Sequence, residues 1–176
     1  MNKKIKSLVL AAVMGLSLTT VAVVPTTVEA ASAGAAETLI GGAVAYAYVS
    51  TAFNKMDNSK EGQEQSLARA KKQTGYLEDS AAQARVQRIM KTLEASPSVK
   101  RSYVVYANPS DDFNAFATVG RVMSVNRGAL DLLDDDELAY VMAHEISHGE
   151  HKDIVNGLKK QVGLSTAVSL AAGGGS

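Results

Sequence analysis

Residues 134–148 read DDDELAYVMAHEISH, and this stretch organises the interpretation of the whole chain. Asp134 stands where a helix N-cap belongs, and Glu137 follows three residues later, as in a capping box. Asp135 and Asp136 favour the positive end of the helix dipole. Apolar residues then recur at a spacing that would seat one side of the helix in a core. The stretch therefore predicts a capped helix that carries two histidines near its end.

Within this helix, His144, Glu145 and His148 form the pattern HExxH. Residues four apart on a helix lie about 40° apart around the axis and roughly 6 Å apart along it, so both imidazoles reach one point. A single zinc ion can accept a nitrogen from each. Glu145 faces the open side of the metal, where it can take a proton from water whose pKa zinc has lowered. The pattern predicts a hydrolytic zinc site with two histidine ligands and a glutamate base.

Two further residues after the pattern could bear on the metal. His151 lies seven residues after His144, about 10.5 Å along a straight helix, which is too far for easy sharing of one ion. It would become a third ligand only if Gly149 broke the helix; otherwise it is a solvated or outer-shell histidine. Asp153 would point away from His144 on a continuous helix, about 180° round the axis. The alternative is that the histidines are ordinary surface or core residues without a metal.

The rest of the chain predicts helices followed by short strands. The predicted elements are helices at 63–72 and 77–95, strands at 102–107, 114–119 and 121–126, and a helical turn at 128–133. Gly120 is the expected tight connection between the last two strands. In the helix at 77–95, Ile89 and Leu93 share the apolar face with two alanines, and Gln83 lies largely outside it. The predicted fold class is α+β, with a small antiparallel sheet packed on the HExxH helix.

Several stretches of the sequence resemble the HtpX and CAAX-prenyl-protease type of zinc metallopeptidases. They are Asn114–Thr118, Ser124-Val125, and residues 128–133, 134–139 and 141–148. The close resemblance covers about residues 103–153, and the family contains soluble periplasmic members. It implies a gluzincin-like arrangement in which His144 and His148 bind Zn²⁺ and Glu145 acts as general base and acid.

The resemblance also implies where substrate would bind. Asn114, Ala115 and Phe116 would lie beside the cleft, where family members hold substrate as an extended strand. Backbone pairing of this kind suits unfolded or flexible polypeptide and gives a loose side-chain preference.

The sequence departs from this family at the third zinc ligand. The family takes that ligand from a glutamate on a later helix, whereas no Asp or Glu follows Asp153 here. Two histidines would hold zinc weakly, because a catalytic site normally has three protein ligands. Three explanations stay open: a C-terminally truncated piece of a longer enzyme, which we favour; a natural inactive short form; or a ligand borrowed from His151 or a second chain.

The N-terminus has the layout of a secretory signal peptide. A cationic start at 3–6 precedes an uncharged, mostly apolar run at 8–24, and small residues then allow cleavage after Ala30 or Ala33. The alternative is an uncleaved membrane anchor. We expect a signal peptide over the first 30 residues and export to the periplasm or the extracellular space.

Composition limits the remaining classes of function. The 18 Lys and Arg balance the 18 Asp and Glu, so no net charge favours nucleic acid. The chain lacks cysteine, which excludes disulfides, thiolate metal sites and a cysteine nucleophile. The uncharged run between Glu37 and Lys55 is a buried or amphipathic helix, or a second membrane segment. We expect one metallopeptidase domain at 31–176, without membrane association after signal cleavage.

Three functions remain open from the sequence. The first is a zinc metalloendopeptidase that hydrolyses exported or misfolded proteins through zinc-activated water. The second is an inactive peptide-binding or chaperone-like module of the same fold, which the missing acidic ligand favours. The third is a structural or interaction protein with incidental histidines.

Overall fold

The computed structural model of the chain describes residues 46–47 and 50–173. In chain order the elements are α1 (50–58), α2 (Lys60–Thr74), α3 (Ser80–Glu94), β1 (Val104–Asn108), β2 (Ala115–Thr118), β3 (Val122–Asn126), α4 (Arg127–Leu132), α5 (Asp135–Glu150) and α6 (Asp153–Gly173). The predicted strands and helical segments lie at these positions to within a few residues. The fold is α+β, as predicted.

Two sequence predictions fall largely outside this part of the chain. The signal peptide and both of its cleavage sites lie before the first described residue, as does much of the uncharged run between Glu37 and Lys55. Among residues 46–47 and 50–173, no helix combines the length and the apolar character that crossing a bilayer requires.

The sheet is mixed, so the prediction of an antiparallel sheet is wrong for one pair of strands. The strand order is β1-β3-β2, with β2 and β3 antiparallel and β1 and β3 parallel. A tight connection joins only β2 to β3, at Gly120 and Arg121, whose φ angles are 85° and 60°. The chain between β1 and β2 instead passes to the far edge of the sheet, leaving β3 in the centre. Consequently, β2 is an edge strand, and helix α5 packs beside it.

Helices cover both faces of the sheet. On one face, α2 contributes Ala70 to a small cluster with Tyr106 and Val122. On the other face, α3 and α5 form the main core with β1 and β3, and the buried side chains there include Val86, Met123, Leu138 and Met142. The active-site candidates on α5 therefore lie on a helix whose opposite side is anchored in the core.

The face of α3 that is buried differs from the predicted one. Gln83, expected outside, is buried, and its amide donates to the carbonyls of Leu77 and Ala107 and accepts from the N–H of Ala107. Ala107 belongs to the edge strand β1, where its N–H would otherwise lack a partner, whereas its carbonyl also accepts from the N–H of Leu77. The side-chain amide takes the place of a neighbouring strand, which is why a polar residue replaces the expected apolar one.

Helix α5 begins with the capping box that the sequence predicted. The capping box is present, since Asp134 accepts from the N–H of Glu137 and Glu137 accepts from the N–H of Asp134. The guanidinium of Arg85 then links α3 to this end by bonding the Asp135 carboxylate and the carbonyl of Leu133. Hydrogen bonds from Arg85 and a second arginine lower the pKa of Asp135. The first turn of α5 is thereby fixed against α3.

A second set of contacts holds the C-terminal end of α5. The Glu150 carboxylate accepts from the backbone N–H groups of Lys100 and Arg101 and lies 2.9 Å from the hydroxyl of Tyr103. Burial, and then this carboxylate, raises the pKa of Tyr103, so the phenol stays protonated and can donate. The Tyr103 ring lies so close to Gly149 that a Cβ there would approach the hydroxyl to 2.5 Å.

Gly149→Ala should lower the free energy of unfolding by about 1–3 kcal/mol, because the added methyl group overpacks the contact with Tyr103. Gly157→Ala is the matched control: a Cβ there meets nothing within 4 Å, and alanine in a helix interior gains up to about 1 kcal/mol over glycine. Urea denaturation of both variants measures the difference. Equal stability of the two variants would contradict the close approach of Tyr103 to α5.

Candidate metal centre

The imidazoles of His144 and His148 point at a common position beside α5. Their Nε2 atoms are 3.2 Å apart, and the rings meet edge to face with centroids 4.7 Å apart. Two nitrogens bound to one tetrahedral zinc ion at 2.0–2.1 Å would be about 3.3 Å apart. The observed separation therefore fits two ligands of a single ion, and both rings remain partly exposed to solvent.

Asp153 supports this arrangement, although the sequence analysis placed it on the wrong side. Its carboxylate lies 3.0 Å from Nδ1 of His148. The prediction assumed a continuous helix, but α5 ends at Glu150 and Lys152 has a φ of 58° in the left-handed region. That turn brings Asp153, the first residue of α6, back to the ring. A carboxylate accepts hydrogen bonds, so the hydrogen belongs on Nδ1 and the lone pair of Nε2 faces the shared position.

His151 does not join the pair. Its Nδ1 donates to the carbonyl of Ser147 at 2.7 Å, and its side chain is exposed. Across the part of the chain that the structure describes, no group of three or more His, Cys, Asp or Glu side chains is arranged so that it could hold a metal ion. The centre therefore offers two protein ligands, His144 and His148, from the described residues.

Glu145 lies between α5 and the edge strand β2. The residue is 2% exposed, and its Oε2 accepts from the backbone N–H of Ala117 at 3.1 Å. It neighbours His144 in the sequence, so one short stretch of helix carries both candidate ligands and a buried carboxylate. This hydrogen bond places the carboxylate beside the free edge of the sheet.

The three residues predicted to bind substrate do not all face that free edge. The carbonyl of Asn114 accepts from the N–H of Asn126 at the beginning of the pairing with β3. Backbone groups alternate in direction along a strand, so Phe116 also bonds toward β3, whereas Ala115 and Ala117 present theirs outward. Sequence reasoning missed Ala117. The alternation of small residues at 115 and 117 was the available signal.

Comparison with known proteins matches the region just described. The model of peptidase family M48 matches residues 77–175, more than half of the chain, from just before α3 through α6. This match includes all three strands, the HExxH helix and Asp153, and it leaves out α1 and α2.

Individual relatives bear the description protease HtpX homolog. The relative from Salinibacter ruber is 48% identical over 52 residues, covering 27% of this chain and 18% of its own length. The relative from Methanocaldococcus jannaschii is 43% identical over 70 residues, covering 37% and 22%. The relative from Campylobacter curvus is 45% identical over 73 residues, covering 39% and 25%. The chain thus spans a quarter or less of the length of these relatives. By the extent of the family match, this chain belongs to peptidase family M48.

Proposed function

We propose that the chain carries the metal-binding and proton-transfer residues of a zinc metalloendopeptidase. His144 and His148 are the zinc ligands in this proposal, and Glu145 is the general base and acid. Membership of M48, a family of zinc metalloproteases, supports a protease. The observation that carries the residue assignment is the 3.2 Å separation of the two Nε2 atoms, with the Glu145 carboxylate adjacent. The proposed arrangement is gluzincin-like.

Each of these residues has a defined role in the proposed reaction. Zinc held by His144 and His148 would supply polarisation of the scissile carbonyl and activation of a water molecule. Glu145 takes the proton of the attacking water and delivers it to the leaving amine. The N–H of Ala117 holds one carboxylate oxygen in place during this transfer. Asp153 keeps the imidazole of His148 oriented with Nε2 toward the ligand position.

The free edge of β2 supports a polypeptide substrate. An extended segment can add to an exposed sheet edge through backbone hydrogen bonds, which are independent of sequence. Ala115 supplies such groups next to Glu145, and Ala117 supplies its carbonyl, because its N–H already donates to Glu145. A substrate must leave its own backbone unpaired to bind in this way, which favours flexible or misfolded segments. Export, as inferred from the N-terminal sequence, would place those substrates outside the cytoplasm.

A second function has one observation in its favour. Within the described residues, only two side chains converge as candidate zinc ligands, one fewer than a catalytic zinc site normally has. A peptide-binding module without catalysis would keep the edge strand and need no complete metal centre. The two proposals differ in whether Glu145 transfers a proton.

Zinc binding tests the ligand pair. His144→Ala and His148→Ala should each weaken zinc affinity by more than the roughly 10–100-fold typical for losing an outer-shell partner, because each removes a direct ligand. His151→Ala should leave the affinity unchanged and serves as the control, since its ring bonds Ser147 instead. Competition with a chromophoric chelator measures all three. The ligand assignment is wrong if the double variant lacking both histidines binds zinc as wild type does.

Proteolysis tests Glu145. Glu145→Gln should reduce casein cleavage at least about 100-fold, because the amide cannot accept the proton, while zinc affinity is retained. A chelator should abolish the wild-type activity, and added zinc should restore it. If zinc-loaded wild type and Glu145→Gln are equally inert, the protease proposal fails for this chain and the peptide-binding module is favoured.

The orienting role of Asp153 is tested by zinc affinity. Asp153→Asn should weaken zinc binding by about 10-fold or more, because the charged acceptor that fixes the His148 tautomer is lost. Asp131→Asn on α4 removes an exposed carboxylate elsewhere and should leave the affinity unchanged. An unchanged zinc affinity in Asp153→Asn would show that the hydrogen bond to His148 does not contribute to zinc binding.

A further inference from the structure

A cleft opens at the end of the free edge of β2, where the strand meets α1, α2 and α6. Its empty volume is about 440 Å³, including the mouth that opens to solvent. Its apolar lining consists of Phe53, Met56, Ala70, Val119 and Leu158. Four of these side chains, all except Ala70, belong to a cluster that ties α1 and α6 to the end of β2. The cleft is therefore continuous with the strand that carries the proposed substrate-binding groups.

Sheet geometry links this cleft to a peptide bound on β2. Thr118 lines the cleft and pairs with Val122, whose side chain packs against α2. Residues directly opposite each other in a sheet point to the same face. A peptide residue paired with Thr118 across the free edge would point its side chain to the α2 face as well. That direction leads into the cleft.

Along β2, the cleft lies close to the proposed general base, Glu145. Ala117 precedes Thr118, and its N–H bonds Glu145. One residue of a strand corresponds to about 3.3 Å. The peptide residue opposite Thr118 thus lies one step along from the peptide residue beside Glu145. Its side chain would be held close to the bond that is cleaved.

The lining indicates which side chains fit. An apolar side chain gains by leaving water for this lining, whereas a basic one would lose its hydration without an acidic partner among the lining residues. Arg69, exposed and among the lining residues, adds a positive charge that disfavours lysine and arginine. The hydroxyl of Ser66 also lines the cleft; it is buried and has no hydrogen-bond partner among the described residues.

We propose that the cleft is a specificity subsite that takes an apolar side chain, of leucine or methionine size, from the substrate residue paired with Thr118. This inference rests on the proposed function, because it uses the same edge strand. It replaces the loose side-chain preference expected from backbone pairing with a defined selectivity at one substrate position.

The test measures binding of extended, fluorescently labelled peptides to the Glu145→Gln variant. This variant is used so that the peptides are not cleaved during the measurement. The peptides differ at one position only, which carries leucine or lysine, and that position is moved along the peptide. At one position, leucine should bind about 10-fold more tightly than lysine, as expected from burying much of one apolar side chain. Fluorescence anisotropy gives the affinities.

Two variants of the cleft lining, with one control variant, test whether this preference comes from the cleft. Leu158→Phe narrows it and should reduce the leucine preference to within about twofold, whereas Leu164→Phe, at an exposed leucine on the same helix, should retain it. Arg69→Glu, at an exposed position, should convert discrimination against lysine into tighter binding of the lysine peptide. Circular dichroism and zinc binding verify that each variant is folded.

The outcomes separate the subsite from the protease. Equal binding of all peptides, or a leucine preference that survives Leu158→Phe, overturns the subsite, and zinc-dependent casein cleavage then still supports the protease. A leucine preference that Leu158→Phe removes supports the subsite, even where casein cleavage is absent and the protease proposal fails.

Discussion

The convergence of two imidazoles on one point requires that α5 keep its position relative to the sheet, and polar contacts hold the helix at both ends. Arg85 fixes the first turn through Asp135, and Glu150 fixes the last through the backbone N–H groups of Lys100 and Arg101. Both ends of α5 are thereby tied to parts of the chain that precede β1. A displacement of about 1 Å in such a site can cost much of its activity, so these anchors matter for function as well as for stability.

The hydrogen bond between Glu145 and Ala117 joins the two halves of the proposed site. It ties the carboxylate on the helix to the same edge of β2 that a peptide would extend. A peptide strand pairing there would meet an N–H that already has an acceptor. Substrate binding and proton transfer therefore share one backbone group, and a bound peptide would change the surroundings of the carboxylate as it pairs.

Local sequence signals predicted much of this fold and the core of the site. The capping box, the helix across 134–148 and the short connection at Gly120 each depend on residues a few positions apart, and each is present. The parallel pairing of β1 with β3 depends on where the six-residue connection between β1 and β2 leads, which no local pattern encodes. Burial of Gln83 follows from that same topology, because an edge strand leaves the N–H of Ala107 in need of a partner.

The position of Asp153 could not be predicted for a different reason. Lysine rarely adopts a left-handed conformation, so nothing at Lys152 in the sequence signals the turn, whereas a glycine there would have done so. Helical geometry fixes His144 and His148 relative to each other, but the orientation of the second ring depends on a carboxylate beyond the end of that helix. The same turn starts α6 at the candidate metal centre and leads Leu158 to the cleft beside β2. One strained residue thus connects the ligand geometry to the surface that would contact a bound peptide.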